Sequence, residues 1–270
     1  MFVRSNHFGI EYLHSTLLGR CGFLEHAFCM RHGGVSGGDY HSLNMSYREG
    51  DDEFHVIQNW NLLASAFRIP VEKFLVLNQV HGNGVLVIET KDDLSGSRET
   101  LQYDATVTHY ANLAICIKTA DCLPVFVVDP KNKVIAAVHA GWRGTALGIT
   151  ARAVQVMRDR YGSRPDELLA AVGPSIGPCC YEVDSAVADQ FKSHADRDLF
   201  FHAIEKKGRW MLNLLEANLS QLRRAGLSDA RIDTAGICTV CQQNDFFSHR
   251  GSGGVTGRQI NFLMIRQEEP

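Results

Sequence analysis

A chain of 270 residues is long enough for one large domain or two small ones and for a sizeable core. With 45% hydrophobic and 21% charged residues it has the composition of a soluble globular protein. The net charge of -3 and the scattered basic residues, paired only as in Lys206-Lys207 and Arg223-Arg224, argue against a nucleic-acid surface.

The first stretch, MFVRSNHFGIEYLHSTLL, is broken by Arg4, Asn6, His7, Glu11 and His14, which is not the pattern of a signal peptide. No apolar run approaches the ~20 residues that span a bilayer, so the expectation is a cytoplasmic protein without a membrane segment. RHGGVSGGDYHSLN (31–44) reads as a glycine-rich loop lying over a site. Asp51 and Asp52 then cap a helix carrying Phe54, Ile57, Trp60, Leu63, Ala64 and Phe67 at helical spacing, with Pro70 as its stop.

FLVLNQV (74–80) and GVLVIE (84–89) flank a short HGN link and predict two strands joined by a hairpin or a bend. DATVTH, LAICIKT, PVFVVD and VIAAVHA follow between 104 and 140, apolar enough for strands covered on both faces. The turn from Asp129 to Lys133 predicts that the last two pair antiparallel. A helix from about Thr145 to Tyr161, ending near Gly162, precedes the strand LLAAVGP. Segments around 183–194 and 211–225 read as helical, and RIDTAGI and QINFLMI as late strands. Without a steady β-α-β beat, the expectation is one mixed α/β domain over 1–270, more α+β than doubly wound.

Three segments put reactive side chains at strand ends: His81 in NQVHGNGV, Cys122 in KTADCLPVF and His139 in AAVHAGW. Around a turn centred near 131–132, residue 124 falls opposite about 139, so Cys122 and His139 share the open end of a hairpin. Two imidazoles and a thiolate suit zinc with a fourth position open, the catalytic form of such a site. The same Cys122 and His139 also read as a nucleophilic dyad, which has no need of His81. Scattered core residues are the third reading of this spacing.

The eight cysteines are not spaced as a disulfide framework, and Cys21, Cys29 and Cys116 lie in apolar stretches as core. Cys238-Thr-Val-Cys241 lacks a second C-x-x-C and reads as a turn with two partly buried thiols. The zinc deaminase signature is absent, since Tyr181 follows Pro178-Cys179-Cys180 and no H-x-E occurs. No H-x-H pair occurs either, which argues against a copper cluster. Arg143, at the mouth of a helix, and Arg48 and Arg250, beside the candidate segments, are candidate anion contacts. Gly141 and Gly144 would let backbone approach a ligand there.

Taken in order, RHGGVSGGDYHSLN, GDD (50–52), NQVHGNGV, KTADCLPVFVVDP, AAVHAGWRGTALGI, AVGPSIGPCCYEV, CT (238–239), FFSHR and TGR (256–258) give the chain a specific likeness. It resembles the laccase-domain or YfiH-like family, which includes the peptidoglycan editing factor and zinc-containing bacterial purine nucleoside phosphorylases. The resemblance implies a layered α/β/β/α fold and one zinc ion per chain held by His81, Cys122 and His139, with copper as the alternative metal. It implies phosphorolysis of adenosine, inosine, guanosine and methylthioadenosine, with adenosine deamination as a side activity and phosphate as the second substrate. Arg48, Arg143 and Arg250 are then candidates for phosphate, and Asn44 for the ribose or base. Two rival activities come with the family: a Cys-His hydrolase editing peptidoglycan precursors, and a copper polyphenol oxidase.

Overall fold

Strands as apolar as PVFVVD and VIAAVHA need cover on both faces, and the architecture supplies it. The computed structural model describes residues 1–94 and 101–267; residues 95–100 and 268–270 of the expected 1–270 domain lie outside the described residues. Strands β1 (Phe2–His7), β2 (Ile10–Ser15) and β3 (Leu24–Cys29) precede the helix α1 (Glu53–Phe67). Six strands follow: β4 (Phe74–Val76), β5 (Val85–Ile88), β6 (Ala105–Thr108), β7 (Ala114–Thr119), β8 (Leu123–Asp129) and β9 (Val134–Ala140). Next come α2 (Trp142–Ala146), α3 (Ile149–Tyr161), β10 (Leu169–Val172), β11 (Glu182–Asp184), α4 (Ser185–Asp189) and α5 (Arg197–Phe200). The rest is β12 (Phe201–Ala203), β13 (Arg209–Leu212), α6 (Leu214–Ala225), β14 (Ile232–Thr234) and β15 (Gln259–Ile265).

Two six-stranded sheets stack face to face, ordered β1-β2-β3-β15-β7-β4 and β14-β10-β8-β9-β6-β5. Between them Phe28, Ile117 and Leu263 of the first meet Phe126, Val128 and Ile135 of the second. Phe28 stacks on Phe126 with ring centroids 4.4 Å apart. Because side chains alternate along a strand, Val125 and Val127 point the other way, onto Ile149 and Met157 of α3 and Leu222 of α6. The outer face of the first sheet, with Cys116 and Phe262, is covered by Val56, Trp60 and Leu63 of α1. The layering is therefore α/β/β/α. A third, small sheet, β11-β13-β12, surrounds the cluster of Phe191, Phe200 and Phe201.

Several segments differ from the sequence expectation. FLVLNQV and GVLVIE do not pair: β4 lies parallel to β7 in the first sheet, and β5 parallel to β6 in the second. The HGN link is a bend that carries the chain from one sheet to the other. The helix expected from Thr145 starts earlier, at Trp142, and breaks at Gly148, whose φ of 77° is left-handed. The 211–225 segment begins as β13, with Asn213 capping α6, and only residues 185–189 of the 183–194 segment form a helix. α1 ends at Phe67 with Arg68 left-handed, before Pro70. Its buried stripe runs through Val56, Trp60 and Leu63, so Phe54 and Ile57 are exposed.

Asp52 caps α1 as expected, its carboxylate accepting from the Phe54 N–H at 2.8 Å. Asp52→Ala should therefore lower stability by about 1 kcal/mol in chemical denaturation without altering catalysis. Among the described residues no helix is long and apolar enough to cross a membrane.

Candidate metal centre

In the antiparallel β8–β9 hairpin Pro124 pairs with His139, the register expected from the turn. That register leaves Cys122, just before β8, at the same end as His139, just before the end of β9. His81 arrives from the bend between the sheets. The ligand atoms of His81, Cys122 and His139 lie within 4.8 Å of one another. His139 is buried, Cys122 half-buried and His81 exposed.

The group is organised by Asp104, which is fully buried. Its carboxylate accepts from His139 Nδ1 at 2.8 Å and from the backbone N–H of His81 at 2.9 Å and of Gly82 at 2.7 Å. Holding Nδ1 fixes the His139 ring and leaves Nε2 to serve as a ligand, the arrangement found behind metal-binding histidines. The bonds to residues 81 and 82 also hold His81 at its left-handed φ of 59°.

The glycines after His139 serve this group rather than an approaching ligand. A Cβ at Gly141 would come within 2.7 Å of His81 Nδ1 and 3.2 Å of Cys122 Sγ. One at Gly144 would come within 2.8 Å of the Gly82 carbonyl oxygen. Their bareness admits the loop that delivers His81.

Burial works against a Cys122 thiolate, but His139 and His81 outweigh it and bring the thiol down to about 6. Burial likewise opposes a His139 imidazolium, and the Cys122 thiolate with the Asp104 carboxylate outweighs it, raising the ring to about 9. Asp104 is held below the usual carboxylate range because His139 and the two backbone N–H groups offset its burial. Metal-free protein thus carries a thiolate–imidazolium pair at neutral pH. Its far-ultraviolet thiolate absorption, taken as the difference from Cys122→Ser, should persist above about pH 6 and vanish as the pH falls through it. An unchanged difference spectrum well below that pH would contradict the pairing.

A cleft of about 900 Å³ opens over the trio, with Arg48, Lys118, Arg250 and Arg258 among its lining residues and Trp142 and Tyr181 as aromatic wall. Arg48 is exposed and donates to the Asn78 side chain. Arg250 lies over the Tyr181 ring at 5.2 Å and donates to the Glu182 carbonyl. Its backbone N–H donates to Asp121, whose other carboxylate oxygen accepts from Thr239 at 2.6 Å. Asp121 has a left-handed φ of 91°, so these bonds hold a strained residue directly before Cys122.

Two expected contacts sit elsewhere. Arg143 is exposed with its guanidinium over the Trp142 ring at 4.3 Å, and it is not among the described residues lining the cleft. Asn44, the last residue of the glycine-rich segment, is fully buried and is not among the described residues lining the cleft. Its amide is spent on Ser46, Asp51 and the backbone of Arg258, and so holds the loop instead.

Three residues of the site are not among the candidate contacts: Asp104, Lys118 and Arg258, the last marked only as the end of TGR. Lys118 interrupts the apolar run LAICIKT, and that break is its only signal. Burial lowers its proton affinity, and the positive charges of Arg48 and Arg258 add to this against Glu49. Arg258 pairs with Glu49 at 2.7 Å.

Known proteins resemble this chain over nearly its whole length. The purine nucleoside phosphorylase YlmD of Geobacillus stearothermophilus is 35% identical over 243 residues, covering 88% of this chain and 89% of the relative. The adenosine deaminase RL5, from an unknown prokaryotic organism, is 33% identical over 238 residues, covering 86% and 90%. The crystal structure of the Bacillus licheniformis hypothetical protein YfiH superposes with a TM-score of 0.88 at 31% identity, covering 97% of this chain and 98% of that one. The family model described as multi-copper polyphenol oxidoreductase laccase matches residues 25–266. With fold and sequence in agreement, the chain belongs to this laccase-like, YfiH-type family.

Proposed function

We propose that the protein is a cytoplasmic, zinc-dependent purine nucleoside phosphorylase, built as one domain over 1–270, with adenosine deamination as a side activity. The substrates are adenosine, inosine, guanosine and methylthioadenosine. The observation that carries the reading is one cleft that joins the His81–Cys122–His139 group to Arg48, Lys118, Arg250 and Arg258. The activities for which the YlmD and RL5 relatives are named support it.

The residues fit a zinc ion. Two imidazoles and a thiolate are nitrogen and sulfur donors that zinc takes, Asp104 presents one ring for ligation, and Gly141 clears the space beside the other. Zinc bound there supplies Lewis-acid chemistry at the floor of the cleft. Copper also accepts such a donor set, but a multi-copper oxidase needs further imidazoles. The other group of metal-capable side chains among the described residues is made of cysteines.

In phosphorolysis a phosphate oxygen bonds to C1′ of the ribose while the C1′–N9 bond breaks. Its electron pair stays on the purine, which takes up a proton. Arg48, Lys118, Arg250 and Arg258 hold the phosphate dianion against C1′. Tyr181 and Trp142 form the aromatic wall beside the purine.

The test is a nucleoside panel with and without phosphate. Ribose 1-phosphate and free base from inosine, only when phosphate is present, are expected; base release without phosphate would sink phosphorolysis. A Cys-His hydrolase is the second reading, favoured by the thiolate–imidazolium pair of Cys122 and His139. It predicts full activity in His81→Ala and none in Cys122→Ala.

A further inference from the structure

The fold completes a cysteine cluster that the sequence leaves in two halves. Cys179 and Cys180 lie in the turn before β11, and Cys238 and Cys241 in the turn after β14. The two turns meet through a bridge between Ser175 and Cys238 and the Thr239 N–H bond to the Ser175 carbonyl at 3.0 Å. All four Sγ atoms then fall within 4.8 Å of one another. Cys241 Sγ lies 3.5 Å from both Cys179 Sγ and Cys180 Sγ.

We propose that Cys179, Cys180, Cys238 and Cys241 form a second, structural zinc site that clamps these turns together. Four thiolates in a tetrahedral group are a closed donor set for zinc, with no position left for substrate. With Zn–S bonds of about 2.3 Å, a tetrahedron has S···S edges of about 3.8 Å, close to the spacing seen. Disulfides would need each pair at about 2.05 Å, whereas one sulfur here sits equally near two others. The four thiol protons leave to solvent as the ion binds.

The surroundings are shaped for the cluster. The Gly177 N–H donates to Cys238 Sγ at 3.2 Å, as backbone amides do to ligating sulfur. A Cβ on Gly177 would meet Cys238 Cβ at 3.1 Å and Cys179 Sγ at 3.3 Å, so a side chain there would push the turns apart. Both clamped turns run on into the cleft wall. The first leads to Tyr181 and the second, through Thr239, to the Asp121 carboxylate that also binds Arg250. The clamp thereby sets the wall that faces the catalytic group without entering it.

Metal analysis of anaerobically purified protein tests the site. About two zinc ions per chain are expected, falling to about one in Cys238→Ser/Cys241→Ser and to about one in His81→Ala. Should the double variant fail to fold, cobalt loaded into His81→Ala reads the cluster in folded protein, where the intense absorption of a four-sulfur tetrahedral cobalt site is expected. One zinc per chain that disappears in His81→Ala would overturn the proposal. So would iron at these cysteines, or disulfides among them in alkylated, unreduced protein.

Discussion

His81→Ala should reduce phosphorolysis more than about 100-fold, because even residues behind a metal ligand are worth about 10–100-fold. His81 is the exposed member of the trio, so its truncation opens no core cavity and leaves the fold intact. Its loss removes one of three protein donors and leaves Cys122 and His139 in place on the β8–β9 hairpin. A fall in zinc alongside a fall in turnover is the expected pair of readings, from metal analysis and ribose 1-phosphate release. Full activity in the variant would transfer the chemistry to the Cys122–His139 dyad.

Asp104→Asn should weaken zinc binding about 10–100-fold, and phosphorolysis at low zinc with it. The carboxylate accepts from one imidazole and three backbone N–H groups, those of Val80, His81 and Gly82, and a carboxylate offers acceptors only. An amide turns one of its two ends into a donor, which must then face another donor in a fully buried place. Leaving such a buried group unsatisfied costs about 1–3 kcal/mol, so a modest loss of stability should accompany the loss of metal. The two effects separate in a zinc titration: activity should recover at high zinc, while stability measured on metal-free protein stays low. Activity that does not respond to added zinc would give Asp104 a role other than holding the ligands.

What is legible in the sequence is local. The β8–β9 hairpin follows from two apolar runs and a turn, and its register alone brings Cys122 and His139 together. The capped helix α1 and the late strand β15 are equally legible. The position of His81 is not, since β4 and β5 belong to different sheets and nothing near the HGN link shows which strands they join. Asp104 is hidden as the first letter of a strand pattern, its role depending on a bend more than twenty positions away. The four-cysteine cluster is the same case: neither Cys179-Cys180 nor the C-x-x-C carries the signal alone, and only the meeting of two turns supplies it. Asn44 misleads in the opposite direction. A polar residue in a glycine-rich loop looks like a ligand contact, yet loops of this kind also need buried amides to hold their backbone.

Zinc dependence is tested most directly by inosine phosphorolysis with metal-free protein before and after zinc is restored. No ribose 1-phosphate is expected without the metal, and its return is expected as zinc is added. Undiminished phosphorolysis by the metal-free protein would contradict that dependence.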